Sequence, residues 1–256
     1  MLRARIIPCL LIKDGGLVKT VKFGSPKYVG DPINAVKIFN EKQVDELMVV
    51  DIDASRKGVV PNYNTIRNLA RECRMPLCYG GGVTAAEQVA EIIALGVEKV
   101  AMSAAAVAKP GLISEAARMV GAQSIVVVID SRRNPKTGAF EVWTHNGTQA
   151  TGRRAGEFAA EMQQRGAGEI VVNSIDNDGV MKGYDQELIA EVRGSVTLPM
   201  TALGGAGSLN DLGGLIKDYK IIGAAAGSLF VFKGTYRAVL ISYPDRAQKD
   251  ALTKGQ

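Results

Sequence analysis

Eight short apolar runs, separated by segments of helical periodicity, restrict the fold of this chain more than any other feature of its sequence. The runs are Arg5–Leu11, Glu46–Asp51, Pro76–Tyr79, Lys99–Ser103, Ile125–Asp130, Glu169–Ser174, Leu198–Leu203 and Ile221–Ala226. Segments such as Asp31–Gln43, Ala85–Leu95 and Glu157–Arg165 lie between runs and have the apolar spacing of helices. Buried strands that alternate with helices pair in parallel, and eight such units in 256 residues favour an α/β fold, a (β/α)8 TIM barrel, over an open doubly wound sheet.

The two halves of the chain resemble each other. The segment Asp51–Ala54 after the second run matches Ser174–Asn177 after the sixth, and Asp176 lies 123 residues beyond Asp53. A duplicated half-barrel explains this offset. We therefore predict one TIM-barrel domain over residues 1–256, built from two similar half-barrels of about 1–123 and 124–256.

Two glycine turns, Gly80–Gly82 and Gly204–Gly207, follow the third and seventh runs. Glycine lets the backbone approach an anion and point its N–H groups at it, and a helix that starts there adds a favourable dipole. The small residues in 103–106 and 224–228 would complete each anion site. The duplication predicts a phosphorylated small-molecule ligand with two anionic ends, although tight strand-to-helix turns are the alternative interpretation.

The carboxyl ends of the strands are the place where a TIM barrel carries its chemistry. We predict that substrate or phosphate binds to residues that lie at or just after these ends: Asp51, Gly81, Gly82, Ser103, Asn173, Asp178, Gly179, Gly204, Gly205, Gly227 and Ser228.

Two connections are longer than the rest. Lys13–Gly30 contains four lysines and is predicted to form a mobile lid over an anionic ligand, with Lys19 as a candidate catalytic residue or direct phosphate contact. A solvated basic hairpin is the alternative. The segment Arg132–Gly152 is predicted to form a hairpin with Phe140–Thr144 as one arm, and the single histidine, His145, is interpreted as part of its turn.

Charged residues stand at the starts of four strands. They are Arg5, Glu46, Lys99 and Glu169, named the charge ring. The two-residue period of a strand places Lys99 on the side of Ser103 and Glu169 on the side of Asn173, so the four are predicted to point into the barrel and neutralise each other. Because buried charges are costly unless paired, we interpret the ring as a gate or plug rather than as four surface residues.

Composition excludes several classes of function. A net charge of +5 and a pI near 9.1 suit an anionic small molecule, but no basic stripe for nucleic acid is present. The apolar run Ile6–Ile12 is too short to span a membrane and lacks a signal-peptide cleavage site, so a cytoplasmic protein without membrane contact is expected. Cys9, Cys73 and Cys78 lack metal-type spacing, and we expect reduced thiols, no metal and no cofactor.

Taken together, these motifs resemble the cyclase subunit of imidazole glycerol phosphate synthase, the HisF family, from Met1 to about Ser228. The matching segments include Arg3–Ile7, Lys13–Gly15, Gly80–Gly82, Arg165–Glu169, Ser174–Asp176, Asp178–Gly179, Gly183–Asp185 and Gly204–Gly207. The resemblance implies a barrel that receives ammonia from a HisH-like glutaminase subunit on its N-terminal face and uses it at the opposite end. It also implies that the charge ring is the ammonia gate.

One departure from the family pattern bears directly on chemistry. Family cyclases carry an acid/base pair of aspartates at the ends of strands one and five. Asp130 matches the second and is the candidate catalytic acid or base, but Leu11 stands at the first position. Acid/base help is typically worth about 10²–10⁴-fold in rate, so the family's ring closure should be impaired unless Asp14, Asp51 or Asp178 substitutes.

The chain is most similar to a divergent HisF-like branch associated with acetamidino modification of bacterial surface sugars. The segments Gly16–Phe23, Lys27–Pro32, Phe230–Gly234 and Arg237–Pro244 carry this resemblance. It implies ammonia delivery to a separate sugar amidotransferase, for amidine formation on a nucleotide-linked sugar in lipopolysaccharide (O-antigen) synthesis. A true histidine-pathway cyclase and a non-catalytic ammonia conduit are the alternatives.

Overall fold

Strands and helices alternate along the computed structural model, which describes residues 3–253. Both ends of the predicted domain, residues 1–2 and 254–256, lie outside the described residues. In chain order the strands are β1 (Arg5–Lys13), β2 (Gly16–Val21), β3 (Gly24–Gly30), β4 (Leu47–Asp51), β5 (Leu77–Gly80), β6 (Lys99–Met102), β7 (Ile125–Arg133), β8 (Phe140–Thr144), β9 (Gln149–Arg154), β10 (Glu169–Ser174), β11 (Met200–Leu203), β12 (Gly223–Ala226), β13 (Phe232–Lys233) and β14 (Ala238–Val239). The helices are α1 (Pro32–Glu41), α2 (Ala54–Lys57), α3 (Tyr63–Glu72), α4 (Ala86–Ala94), α5 (Ala104–Ala108), α6 (Gly111–Val120), α7 (Ala155–Gln164), α8 (Gln186–Ser195), α9 (Leu209–Tyr219), α10 (Ser228–Val231) and α11 (Arg246–Thr253), with a 3-10 turn at Ala122–Ser124.

Eight parallel strands close into a barrel, which confirms the predicted TIM fold. Their order around the barrel is β1, β4, β5, β6, β7, β10, β11 and β12, and β12 pairs with β1 again. Each predicted apolar run coincides with one of these strands. The order follows the chain because each helix returns it to the bottom of the next strand.

Some predicted strand starts are one or two residues early. Glu46 and Pro76 each stand immediately before their strands, and Leu198 and Ile221 precede β11 and β12 by two positions. The backbone carbonyl of Pro199 accepts a hydrogen bond from Ile170 at 3.0 Å, but proline has no N–H to donate, so ladder pairing starts after it.

Helix α1 begins where the Asp-Pro pair predicted. The Asp31 carboxylate accepts a hydrogen bond from the backbone N–H of Asn34 at 2.8 Å, and Pro32 occupies the first helical position. An aspartate cap satisfies a backbone donor that has no partner inside the helix, and proline there loses no hydrogen bond.

The apolar residues form two separate layers. Along β1, Ile6, Leu10 and Ile12 face outward and join the core between strands and helices. Ile7 and Cys9 alternate with them and pack inside the barrel. Since strand side chains alternate in direction, each strand supplies both layers, and the barrel interior between its two ends is largely apolar.

Two hairpins extend from the carboxyl end of the barrel. The segment predicted as the lid loop is instead the antiparallel pair β2–β3, and β2 also pairs with β1. The hairpin alternative for this segment is therefore correct in its backbone pairing, although Leu17–Thr20 is buried and continues the sheet instead of being solvated. The second predicted hairpin is confirmed: β8 and β9 pair with each other around the turn that contains His145, and β8 also pairs with β7.

Candidate active site at the barrel mouth

The carboxyl ends of the barrel strands surround a cavity of about 150 Å³, named the mouth. Most of the predicted binding and catalytic residues line it. They are Lys19, Asp51, Gly81, Ser103, Asp130, Asn173, Asp178, Gly179, Gly204, Gly205, Gly227 and Ser228. Gly82 does not line the mouth; its backbone turns away and packs beside Val59 and Pro61.

Asp130, near the end of β7, is a carboxylate of the mouth that two neighbouring side chains hold in place. Its carboxylate accepts hydrogen bonds from the Asn173 amide at 2.9 Å and from the Ser103 hydroxyl at 3.2 Å. Burial raises the pKa of Asp130 to about 6, although these two hydrogen bonds oppose the rise, and the nearby charge of Asp178 adds to it. A carboxyl group with a pKa near neutrality can both accept and return a proton, as acid/base work requires.

Asn173 has a free acceptor. Its amide nitrogen is bonded to Asp130, while its Oδ1 is the one buried side-chain N or O atom among residues 3–253 that has no hydrogen-bond partner. Oδ1 lies beside Gly204, where an added Cβ would approach it to 2.9 Å. An unpartnered buried acceptor is costly, which is consistent with a group that is retained for binding rather than for stability.

Lys19 lies in the mouth, but its contact is internal. Its buried ammonium group donates a hydrogen bond to the backbone carbonyl of Cys9 at 2.5 Å and lies close to Gly227. Burial lowers the pKa of Lys19, while the charges of Cys9 and Asp178 oppose the shift. The Lys19 ammonium group is thus held at the barrel wall next to Gly227, and its direct contact with phosphate stays a prediction.

Asp178 fastens the hairpin β2–β3 over the mouth. Its carboxylate accepts hydrogen bonds from the Thr20 hydroxyl at 2.7 Å and from the backbone N–H of Phe23 at 3.2 Å, and its carbonyl accepts one from Lys22. Burial raises the pKa of Asp178, and the bonds from Thr20 and Phe23 oppose the rise. Two of its acceptor positions are thus committed to the hairpin.

The other two carboxylates proposed to replace an acid at Leu11 have structural tasks. Asp51 accepts hydrogen bonds from the backbone N–H groups of Asp53 and Ala54, both at 3.1 Å, and so holds the start of α2. Asp14 is exposed, pairs with Lys57 at 2.6 Å, and does not line the mouth.

Leu11 belongs to an apolar band at the inner end of the mouth. Val50, Val128 and Leu203 line the mouth from three other strands, and all four residues pack on the interior core. The position where the family pattern places a first aspartate is therefore apolar, and the acidic residues that line the mouth are Asp51, Asp130 and Asp178.

Backbone contact explains why glycine is needed in the glycine turns. Gly205 has a φ of +110° and a Cβ there would overlap the carbonyl oxygen of Gly183. Gly81 has a φ of +120° and a Cβ there would overlap the carbonyl oxygen of Asp51. Tight packing thus requires these residues whether or not an anion binds.

Several mouth residues were not predicted as binding residues from the sequence. Thr20 and Phe23 reach the cavity from the β2–β3 hairpin, and His145 and Asn146 reach it from the β8–β9 turn. Both turn residues have left-handed backbone conformations, so His145 does belong to the turn. Adjacent side chains along a strand point in opposite directions, so the sequence predicts that Lys19 and Thr20 point away from each other. In the folded hairpin both residues line the same cavity.

At the opposite end of the barrel the charge ring is complete. The Arg5 guanidinium bonds to Glu46 at 2.5 Å and to Glu169 at 2.7 Å, and the Lys99 ammonium bonds to both glutamates at 2.9 Å. The glutamate side chains are only 6% exposed, whereas those of Arg5 and Lys99 are 24% and 19% exposed. The ring therefore closes the barrel floor, with its cations nearer to solvent.

The ring keeps the Glu169 carboxylate and the Lys99 ammonium group charged. Burial alone would raise the pKa of Glu169, but Arg5, Lys99 and a hydrogen bond from Thr201 lower it to about 2. Burial likewise opposes the charge of Lys99, and the two glutamates outweigh it and raise the pKa of the lysine. Glu169 and Lys99 therefore stay charged at neutral pH.

A small cavity of about 10 Å³ lies just inside the ring. It is lined by Ile7, Glu46, Met48, Cys78, Val126, Glu169, Val171 and Thr201. Its size is close to that needed for one water-sized molecule. Above it the apolar interior continues to the band at the mouth.

Within residues 3–253, no group of three or more histidine, cysteine or acidic side chains is placed to hold a metal ion. Over the same residues, no helix has the length and apolar character needed to cross a membrane.

Comparison with known proteins identifies relatives of this chain. A family model described as "Histidine biosynthesis protein" matches residues 5–237. A Leptospira interrogans protein, provisionally named imidazole glycerol phosphate synthase subunit HisF, is 54% identical over 252 residues, which cover 98% of this chain and 99% of that protein. A Pseudomonas aeruginosa protein with the same provisional name, subunit hisF2, is 53% identical over 96% of this chain and 97% of its own length.

A relative with an unqualified name is more distant. The imidazole glycerol phosphate synthase subunit HisF of Hyphomonas neptunium is 42% identical over 232 residues, which cover 91% of each chain. Identity of this extent over nearly the whole barrel is far above what a shared fold alone requires. The chain therefore belongs to the HisF family of histidine biosynthesis proteins.

Proposed function

We propose that this protein is a synthase subunit that takes ammonia from a partner glutaminase through its barrel and uses it, or hands it on, at the mouth. The observation that carries the proposal is that the barrel has a different structure at each end. Two positive and two negative side chains neutralise each other in the charge ring at one end, and the mouth at the other end is lined by the two glycine turns. An apolar interior joins the two. Neutral ammonia, unlike ammonium, enters such an interior at little electrostatic cost.

The glutaminase is proposed to dock on the N-terminal face, over the charge ring. The relatives are named as subunits of a synthase, which favours a partner chain. Arg5 and Lys99 are the partly exposed members of the ring on this face, so a docked partner would reach the cations before the glutamates. Proximity of a glutaminase here would keep ammonia out of bulk water, where it would be protonated.

Amidine formation on a sugar is the proposed use of the ammonia. On a separate sugar amidotransferase, the ammonia nitrogen would bond to the carbonyl carbon of an acetamido group, and the carbonyl oxygen would leave as water with two of the protons of ammonia. Leu11 supports this over imidazole ring closure, because the mouth keeps Asp130 but lacks the second acid. The glycine turns would hold the phosphates of the nucleotide-linked sugar or of an effector.

A histidine-pathway cyclase is the second candidate function, favoured by the names of the relatives. The growth of a bacterial strain that lacks its own cyclase subunit separates the two candidates. We expect no growth without histidine when this chain is supplied with the partner glutaminase, and growth when an intact family cyclase is supplied as control. Full growth with this chain would overturn the sugar proposal and establish the cyclase.

A further inference from the structure

A threonine completes the charge ring. Thr201, the second residue of β11, is 1% exposed, and its hydroxyl donates a hydrogen bond to Glu169 Oε1 at 2.6 Å. The Arg5 guanidinium lies 3.4 Å from the same hydroxyl oxygen. Thr201 also lines the small cavity just inside the ring. The sequence alone predicts no role for Thr201, and the other residues of β11 are apolar.

The neighbouring strand makes room for the hydroxyl. Gly223, the first residue of β12, pairs in register with Thr201, and a Cβ at Gly223 would overlap the threonine Oγ1. At this level β12 therefore contributes no side chain, and β11 contributes a polar one. The two positions together leave the Thr201 hydroxyl facing the ring.

The hydroxyl makes the two glutamates unequal. Glu169 is held by Arg5, Lys99 and Thr201, whereas Glu46 is held by Arg5 and Lys99. When the flexible Lys99 side chain moves to let a molecule pass, Glu169 keeps two donors and Glu46 keeps one. A buried carboxylate that loses partners is costly and tends to move, so the extra donor decides which glutamate stays in place.

We infer that Thr201 is a positioning residue of the ammonia gate, which fixes the Glu169 carboxylate against the barrel wall while Lys99 moves. The inference rests on the proposed ammonia route and adds a fifth member to the charge ring. Glu169 lines the small cavity, whose volume is close to that of one water-sized molecule. A carboxylate that swung inward would fill this cavity and block the route.

The isosteric variant Thr201→Val tests the inference in the complex with the glutaminase. We expect the product formed per glutamine hydrolysed to fall about three- to tenfold, since one hydrogen bond to a charged group is lost. The rate with added ammonium chloride should stay within about twofold of the parent rate, because free ammonia reaches the mouth from solvent. Thr201→Ser keeps the hydroxyl and should restore coupling.

Three outcomes overturn the inference in distinguishable ways. If Lys99→Ala lowers coupling but Thr201→Val does not, the ammonia route stands and the role of Thr201 is wrong. If neither variant lowers coupling, the proposed ammonia route fails, and the role of Thr201 fails with it. A loss of coupling that Thr201→Ser does not restore would mean that packing, not the hydroxyl, matters, and would also overturn the inference.

A second readout needs no substrate. Titration of the Glu169 carboxyl carbon by NMR, assigned with Glu169→Gln, measures its pKa in the presence of the facing groups Arg5, Lys99 and Glu46. The pKa is about 2 in the parent protein. Thr201→Val should raise it by about one unit and Thr201→Ser should not, because the lost donor favours the ionised form. An unchanged value in Thr201→Val would contradict the proposed contact.

Discussion

Asp130 is a buried carboxyl group whose surroundings oppose its ionisation. Burial raises its pKa to about 6, above its ordinary value of 3.8, despite hydrogen bonds from Asn173 and Ser103. Because the folded-state pKa is the higher one, its favourable contribution is full below the unfolded pKa near 4. That contribution is lost as the pH rises through 6, so the ionised carboxylate opposes folding at neutral pH.

Asp130→Asn should therefore separate activity from stability. If the mouth is catalytic, we expect the rate to fall by about 10²–10⁴-fold, because the amide transfers no proton. Unfolding at pH 8 should cost up to about 3 kcal/mol more in the variant, and the difference should vanish below about pH 4. Chemical denaturation at the two pH values measures this difference.

A purely conducting barrel predicts a different result for the same variant. Full activity in Asp130→Asn, with the stability change as expected, would support the non-catalytic conduit. In a catalyst that uses Asp130 as a base, the parent rate should also fall as the pH drops through about 6. A rate that is flat from pH 5 to pH 8 would contradict that use.

The β2–β3 hairpin is held to the barrel by strand pairing between β1 and β2 and by specific side-chain contacts beyond that pairing. Thr20 and Phe23 bind the Asp178 carboxylate, and the Arg237 guanidinium, from the segment between β13 and β14, donates to the Gly179 carbonyl at 2.5 Å. Lys27 and Arg237 also lie over the ring of Phe232, each at 5.4 Å. Three loops are thereby fastened together over one side of the mouth.

Thr20→Val should loosen this hairpin without unfolding the barrel. Asp178 loses its side-chain donor while remaining half-buried, which should destabilise the protein by about 1–3 kcal/mol. Trypsin cleavage at the exposed Lys22 and Lys27 should become at least about fivefold faster, since local opening is easier. Thr20→Ser is the matched control, and equal cleavage of all three proteins would show that the hairpin does not depend on Asp178.

The glycine turns offer a second test at this scale. Gly205→Ala places a Cβ on the Gly183 carbonyl at a φ of +110°, and we expect a loss of more than about 2 kcal/mol. Gly58, at the end of α2, has a φ of +63° and open space around it, so Gly58→Ala should cost only about 1 kcal/mol. Thermal unfolding compares them, and equal losses would contradict the close backbone approach.

For the whole molecule, the two ends of the barrel have opposite electrostatic designs. The floor holds four interlocked charges, whereas the mouth holds isolated carboxylates among glycines and a buried lysine.

The positive φ values at Gly81 and Gly82 recur at Gly204 and Gly205, 123 residues later in both cases. This recurrence supports the proposed duplication of a half-barrel, which would have supplied both anion sites at once.

Lys99→Ala tests the function of the floor. It leaves Glu46 and Glu169 sharing Arg5, and we expect glutamine hydrolysis to become uncoupled from product formation while activity with free ammonia persists. The loss of a partner for two buried carboxylates should also cost roughly 1–3 kcal/mol in stability, because the site is partly solvated. Unchanged coupling would contradict the channel.

The control for this variant is Lys109→Ala. Lys109 is 62% exposed and pairs only across the surface with Glu115, so its removal should leave both coupling and stability within experimental error. If both lysine variants lose coupling equally, a general effect on the complex rather than a gate would explain the result.

The order and apolar pattern of the residues were enough to predict the barrel, its eight strands and the four charges of the ring. Alternation along a strand is a local property, so the inward direction of Lys99 or Glu169 follows from its distance to the strand end. The replacement at Leu11 also follows from sequence alone, because it is the identity of one residue at a known strand position.

Which groups bind each other follows from the packing of the folded chain. The bond from Thr20 to Asp178 joins residues 158 positions apart, and the bond from Thr201 to Glu169 joins two neighbouring parallel strands across 32 positions. The same packing shows that Lys19 donates to the Cys9 carbonyl, a contact that the sequence did not predict. Hydrogen-bond geometry depends on ångström-scale distances between elements, and the periodicity of a sequence does not contain those distances.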